Sequence, residues 1–518
     1  MTDGLTPAGP GPQVPGLDGP GPHDRGHWRR VHPLTPAVKS WQGLVVLLFV
    51  VAQEFGRNAA SSDPAGAPSL PELGGQVLLA GGGIATLVLL VLVGFAVLSW
   101  RMTRYRVTDE ALEFNHGVLF RQERRARLDR LQAVDVVEPL VARIFGLAKL
   151  SLDVAGGGHS KIEVSYLTRA QAQELRNHLL AAAAGVRYDT PTAPEAPEHQ
   201  WLEVPVQRLL ASLALTPGVV IPAVIVVGVI GASVVLAQPG LLFTMLAPLV
   251  GFGGVVWNRF AGAFGFRVST SPDGLRLRHG LLEQRAQTVP PGRVQAVRLS
   301  QPILWRGSDW WRVQVNVAGY GGMHGENKGD TETTLLPVGT RDEAVAVLAF
   351  VLPDLGVSEQ EHPRAVVDAG LSGTGAAQGF RTSPPSAKWL DPWAWRRNGF
   401  RVTGQALLLR RGFFEKHLDV VPHARTQSLG VTQGPLQRAL HLASFALHST
   451  PGPVSPAVHH LSGELAAQLL TEQSARARRA RSLAGPERWM ESVALTAVEE
   501  LSGHAVLDAG PADPSASA

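Results

Sequence analysis

No cysteine occurs in the 518 residues, which excludes disulfides, thiolate nucleophiles and cysteine-ligated zinc or iron–sulfur sites. Lysine is scarce too: of 47 basic residues, 41 are Arg and 6 are Lys. Against 43 acidic residues the net charge is +4, too small and too dispersed to indicate nucleic acid as a partner. Only 17% of residues are charged, 45% are hydrophobic and the mean hydropathy is +0.07, which excludes an extended disordered chain and requires strongly apolar segments somewhere. His-Glu-x-x-His, Gly-x-Ser-x-Gly, a Walker A loop and a strand-placed dinucleotide fingerprint are all missing, so neither an enzyme nor a cofactor is expected. Gly156-Gly157-Gly158-His159-Ser160-Lys161 reads as a hairpin turn rather than a phosphate cradle, and His441, His448, His459 and His460 read as surface histidines rather than metal ligands.

The apolar residues are concentrated. Ser40–Gln53 is uncharged for 14 residues and reaches spanning length if Lys39 snorkels and the helix runs from Ala37 to Phe55. Gly74–Trp100 is uncharged for 27 residues, Leu209–Gln238 for 30 and Pro239–Asn258 for 20, with Gln238-Pro239-Gly240 as the turn between the last two. These lengths predict four transmembrane helices in two hairpins. Arg25, Arg29, Arg30 and Lys39 precede the first pair, Arg101, Arg104 and Arg106 follow it, and Arg208, Arg259 and Arg267 flank the second, so both termini and the large segments are expected on the cytoplasmic side. Trp41, Trp100 and Trp257 fall where interfacial aromatics would stand. No Asp, Glu, Lys or Arg lies inside the last three spans, which disfavours an ion pathway and makes the hairpins anchors. The Pro/Gly-rich start lacks the apolar core of a signal peptide and reads as a disordered arm.

Self-similarity is the strongest pattern. Tyr105-Arg-Val-Thr, Phe266-Arg-Val-Ser and Phe400-Arg-Val-Thr open three segments, and each next run closes at a glycine: Gly117, Gly280 and Gly412. Thirteen residues later stand Arg130-x-Gln132, Arg293-x-Gln295 and Arg425-x-Gln427, and thirteen further Arg143, Arg306 and Arg438. Hydrophobic residues alternate within each unit, as in Leu150, Leu152 and Val154, which predicts six or seven short strands. A closing helix is predicted behind the capping boxes Thr168-x-x-Gln171 and Thr340-x-x-Glu343.

This combination resembles the bacterial pleckstrin-homology-like, membrane-flanked domain family over residues 37–480. The resemblance implies a seven-stranded barrel-like sandwich capped by a C-terminal helix on the cytoplasmic face, and brings no known reaction. The resulting expectation is an α+β membrane protein of the bacterial cell membrane: four transmembrane helices in two hairpins plus three cytoplasmic PH-like β-barrel/sandwich domains, each capped by a C-terminal helix. Its parts are an arm over 1–36, hairpins over 37–100 and 205–262, repeat domains over 101–184, 263–356 and 389–485, linkers over 185–204 and 357–388, and a tail over 486–518.

The third repeat lacks a preceding hairpin; Trp389, Trp393 and Trp395 with Arg396 and Arg397 stand there instead, either dipping into the membrane interface or packing on the barrel. Arg121, Arg124, Arg125 and Arg127 in the first repeat, and Arg396, Arg397, Arg410 and Arg411 in the third, are candidates for nonspecific contact with anionic headgroups, each worth about 1 kcal/mol near an anionic leaflet; a solvated or structural role is the alternative. Two functions are compatible with these features: a non-catalytic membrane scaffold, or a lipid-handling protein with an apolar pocket open to the bilayer. By resemblance, the scaffold's partners would be further copies or a shorter PH-like membrane protein, and its process envelope maintenance or stress protection.

Overall fold

The structure, a computed structural model, describes residues 28–35, 90–108 without 92, 111–117, 121–128, 131–154, 161–183, 198–238, 246–271, 274–289, 291–318 and 333–483, plus isolated positions at 38, 53, 240 and 244. Trp41, Arg130 and nearly all of Ser40–Gln53 and Gly74–Leu89 lie outside the described residues, as does residues 156–160 of the glycine-rich turn.

Among the described residues each repeat contributes seven strands and a closing helix. The first has β1 (Arg29–Arg30), helix α1 (Val93–Met102), β2 (Arg104–Val107), β3 (Ala111–His116), β4 (Gln122–Arg127) and β5 (Leu131–Pro139). It continues through α2 (Leu140–Ile144), β6 (Leu147–Val154), β7 (Lys161–Thr168) and α3 (Arg169–Ala183). The second opens with β8 (His199–Glu203), α4 (Val206–Ala214), α5 (Pro217–Val235) and α6 (Leu246–Ala263). Its remaining elements are β9 (Arg267–Ser271), β10 (Gly274–His279), β11 (Glu283–Val289), β12 (Val294–Pro302), β13 (Trp310–Val317), β14 (Thr334–Thr340) and α7 (Arg341–Val351). After α8 (Pro363–Leu371) come β15 (Arg381–Thr382), β16 (Gly399–Val402), β17 (Ala406–Arg411) and β18 (Glu415–Pro422). The third repeat ends with β19 (Ser428–Thr432), α9 (Pro435–Ala439), β20 (Leu442–His448), β21 (Ala457–Ser462) and α10 (Gly463–Leu483).

The sequence repeat is kept as identical strand register. Tyr105↔Phe114, Val268↔Leu277 and Phe400↔Leu409 pair in the first hairpins, and Leu112↔Ala126, Leu275↔Val289 and Leu407↔Val421 in the second. Val134↔Leu152, Val297↔Val315 and Leu429↔Leu447 pair in the third. The turn glycines have φ of 111°, 111° and 84°, and a Cβ on Gly280 or Gly412 would lie 2.0 or 2.1 Å from a backbone oxygen, so only glycine closes these turns. Both capping boxes form: Thr340 N donates to Glu343 Oε2 at 2.7 Å with Glu343 N returning to Thr340 Oγ1, and Thr168 and Gln171 do the same at 3.3 Å each way.

The repeats are not separate barrels. The sheets run β1-β2-β3-β4, then β7-β6-β5-β11-β10-β9-β8, then β14-β13-β12-β18-β17-β16-β15, then β19-β20-β21. The last three strands of one repeat thus continue into the first four of the next. All nine residues of β12 are buried, because Val297 and Leu299 face the second repeat's core while Ala296 joins a core built by the third. The large second core crosses the boundary, taking Val366, Val367 and Leu371 from α8 and Leu408, Leu418 and Val420 from the third repeat.

The expectation of four transmembrane helices in two hairpins is overturned. Among the described residues one helix, α5, is long and apolar enough to cross a membrane, at 19 residues and mean hydropathy 2.6. The uncharged run Leu209–Gln238 is split by Pro217, which starts a new helix behind Thr216 in an extended conformation. Helix α6 carries Pro248, Asn258, Arg259 and four glycines, which dilute its apolar character, and the continuous described part of α1 is Val93–Met102.

Candidate functional site

Two sets of contacts place the repeat-signature residues. Arg143 donates to the carbonyl of Leu281 at 3.1 Å, and Arg306 makes the equivalent bond to Phe413. In the opposite direction Arg293 donates to Leu131 O at 2.7 Å, and Arg425 to Gly292 O. The spaced arginines are therefore latches between consecutive repeats, each satisfying a backbone carbonyl of its neighbour. Gln295 is buried and turns back onto Arg293 O at 3.4 Å, whereas Gln427, where no further repeat follows, is exposed.

The second junction holds a bidentate ion pair. Arg298 and Asp419 face each other across β12 and β18, with Nε–Oδ1 2.6 Å and Nη2–Oδ2 3.0 Å, and Arg298 also donates to Pro453 O and Ser455 O. His417 lies beside this pair. Burial, and then the charges of Arg298, Arg411 and Arg397, push its imidazole down to about 3. His423 is lowered as well, first by burial. An imidazole kept neutral when folded yet free to protonate near 6.5 when unfolded costs stability as pH falls from 6.5 toward 3. Stability should therefore be about 2 kcal/mol lower at pH 5 than at pH 8 through His417, and His417→Gln should flatten that slope in unfolding midpoints measured against pH.

Two arginines expected to meet anionic lipid do not reach the surface. Arg410 is fully buried, with guanidinium bonds to the carbonyls of Arg397, Ala369 and Gly375 and its cation 4.3 Å above the Phe380 ring. Arg397 donates to Arg411 O, Gly373 O and Gly370 O. The carbonyls at the C-terminus of α8 hold both cations, where helix dipole and lone pairs favour positive charge. Burial still lowers them, Arg397 to about 9 and Arg410 to about 10. Arg411 is partly buried, 3.1 Å from Ser455 O and 3.7 Å from Asp419. By contrast Arg121, Arg125, Arg127 and Arg396 are exposed, and Arg124 is half-buried.

The apolar surface lies at one end of the strands. Strands β8 and β9 pair, Glu203 opposite Arg267, so the α4–α6 excursion leaves and rejoins the same sheet edge. The β10–β11 turn abuts the end of α6, with Gly280 N donating to Phe264 O and Leu281 N to Ala261 O, both at 2.8 Å. In the third repeat the segment between β15 and β16 occupies the excursion's place and exposes Trp389 (84%) and Trp393 (63%). Trp393 packs edge-on to Phe414 at 5.3 Å and stacks near Phe413, the residues that follow the Gly412 turn. Leu282, Leu304, Ile144, Phe145 and Leu436 are exposed on the equivalent turns and connections. Trp395 is half-buried with Arg396 over its ring at 5.2 Å, Trp257 is exposed beside Phe260, and Trp100 instead anchors the first repeat by donating to Val31 O at 2.9 Å. Exposed apolar side chains gathered at one end of the strands mark an interaction or membrane surface.

Among the described residues no three metal-capable side chains converge; His460 Nδ1 meets Gln437 Nε2 at 2.9 Å. One cleft among the described residues is lined by Arg381, Arg401, Glu472 and Arg476 and is polar.

A family model described as the bacterial PH domain matches residues 46–183, 213–353 and 384–477, one match for each structural repeat. The chain belongs to the bacterial PH domain family. This PH-domain chain is also similar to a Bacillus subtilis (strain 168) protein named as the transmembrane protein YdbT, 24% identical over 314 residues. That alignment covers 54% of this chain and 62% of the relative, so the chain spans less than two thirds of that relative's length. No solved structure matches it.

Proposed function

We propose that this bacterial PH domain protein is a non-catalytic, membrane-associated scaffold of the bacterial cell membrane, with its termini and its three repeats on the cytoplasmic side. The observation that carries the reading is the single-ended apolar surface. Helix α5, the Leu281–Leu282 turn and the Trp389–Phe414 cluster all leave the sheets at the end where the excursion departs, so one bilayer can receive them together. The transmembrane name of the relative supports the association. Arg208 before the excursion and Arg259 and Arg267 after it support cytoplasmic repeats. Anionic headgroups would be met without specificity by Arg396 and Lys388, both exposed beside the tryptophans.

Filled interiors favour a scaffold over a lipid carrier: Trp305, Trp311, Phe266 and Phe445 are fully buried. The protein should therefore offer surfaces and sheet edges to partners. The test is gentle extraction of the full chain from its own membranes with mass spectrometry of what copurifies. A stoichiometric protein with only bulk lipid supports the scaffold; one enriched lipid without a protein overturns it in favour of lipid handling. In nanodiscs of brominated lipid, tryptophan quenching should drop when Trp389 and Trp393 are both changed to Phe. Unchanged quenching would sink the interfacial placement of that segment.

A further inference from the structure

Both internal junctions use one register. Pro139 opposes Glu283, Val137 opposes Arg285 and Val136 opposes Ala286 in the first; Pro302 opposes Glu415, Ser300 opposes His417 and Leu299 opposes Leu418 in the second. These are the same repeat positions, and each junction is closed by the same latch, Arg143 or Arg306 onto the next repeat's turn. Among the described residues the array nevertheless ends with both halves of a junction unpaired. Strand β4, the counterpart of β11 and β18, is the outer strand of the first sheet, and β19, the counterpart of β5 and β12, is the outer strand of the last. Arg438, the third latch, is exposed on α9 and has no side-chain partner among the described residues. An outer strand presents a row of backbone donors and acceptors that templates pairing. The polar composition of β4 is no obstacle, because the equally polar β11 (Glu283-Gln-Arg-Ala-Gln-Thr) pairs with β5.

We propose that copies of this chain add head to tail, β19 of one copy pairing antiparallel with β4 of the next and repeating the internal junction. Extending the shared register sets Thr432 opposite Gln122, Val431 opposite Glu123, Gly430 opposite Arg124 and Leu429 opposite Arg125. Gly430 suits its place, since nothing lies within 4 Å of where its Cβ would be, leaving room for the long side chain opposite. Arg438, at the repeat position of Arg143 and Arg306, then faces the Gly117 end of β3 in the next copy. The interface is heterologous, so it generates rows or rings rather than a closed pair. That such a row lies parallel to a membrane rests on the function proposed above; the pairing itself does not.

The absence of native cysteine makes the test direct. Full-length chain carrying Gln122→Cys and Thr432→Cys, in its own membranes under a mild oxidant, should give a ladder of dimers, trimers and higher covalent multimers, because directly opposite Cβ atoms lie about 4.5–5.5 Å apart. Either single variant should give none. Adding Val431→Glu, which sets a carboxylate against Glu123, should cut the ladder at least about tenfold with an unchanged melting temperature, and adding Glu123→Lys should restore it. No ladder from the double variant, dimers from a single variant, or cross-links to a different and shorter protein would each overturn the proposal. Tryptophan quenching reports the membrane reading separately, so failure of one is legible without the other.

Discussion

Asp419→Ala should destabilise the protein by about 3–5 kcal/mol, which corresponds to a fall in melting temperature on the order of 10 °C. Asp419 has no exposed surface, and the side chain of Arg298 is only 10% exposed, so salt cannot screen the pair. Removing the carboxylate leaves the guanidinium with two backbone carbonyls, near Arg411 and shielded from water. The cost arises from that stranded charge rather than from the worth of the pair. Asp419→Asn, which keeps one acceptor, should lose less. The double change Arg298→Met with Asp419→Leu should recover most of the loss, since apolar residues of similar volume often replace a buried pair at little cost. Thermal unfolding followed by tryptophan fluorescence would check all three; a single variant within about 0.5 kcal/mol of the parent would contradict the argument.

Trp305→Ala should cost a similar amount, about 3–5 kcal/mol, by emptying the space of one of the two fully buried tryptophans among the described residues. Its effect should also be directional. The indole N–H donates to Ser212 O at 3.0 Å, tying α4, at the root of the apolar excursion, to the core of the second repeat. Arg208 adds a bond to Glu343 Oε2 at 2.6 Å, the carboxylate that caps α7. Trp305→Phe keeps most of the volume and should lose only about 1 kcal/mol for the hydrogen bond. Proteolysis at residues 203–208 should accelerate in Trp305→Ala and stay near the parent rate in Trp305→Phe. Equal cleavage in all three chains would show that Trp305 does not hold α4.

Nothing in the sequence singled out Trp305, because the equivalent positions hold Ala142 and Gln437 and a repeat search averages such residues away. The same search did isolate Arg143, Arg306, Arg293 and Arg425, yet their spacing could not say whether they act inside a repeat or between repeats. The alternation in Val294–Pro302 reads as one buried face and one solvated face, with Arg298 and Ser300 outward; in the fold the next repeat covers that second face. Uncharged length likewise overstated the spans, since Pro217 divides one run and Asn258, Arg259 and the glycines weaken another. The buried Arg397 and Arg410 were indistinguishable from surface arginines until α8 supplied carbonyls for them.

The sequence by itself determined the threefold unit, its strand content, its glycine turns and its helix caps, because each depends on residues within a few positions of one another: a positive φ, a period of two, a hydroxyl three residues from a carboxylate. Only the tertiary structure decided that β5 pairs with β11 and β12 with β18, that the signature arginines cross between repeats, and that β4 and β19 are left as outer strands. Which strand lies beside which is set by burial and hydrogen bonding between segments some 115–150 residues apart in the chain, and a pattern that repeats along the sequence is the same whether its edges meet or stand alone.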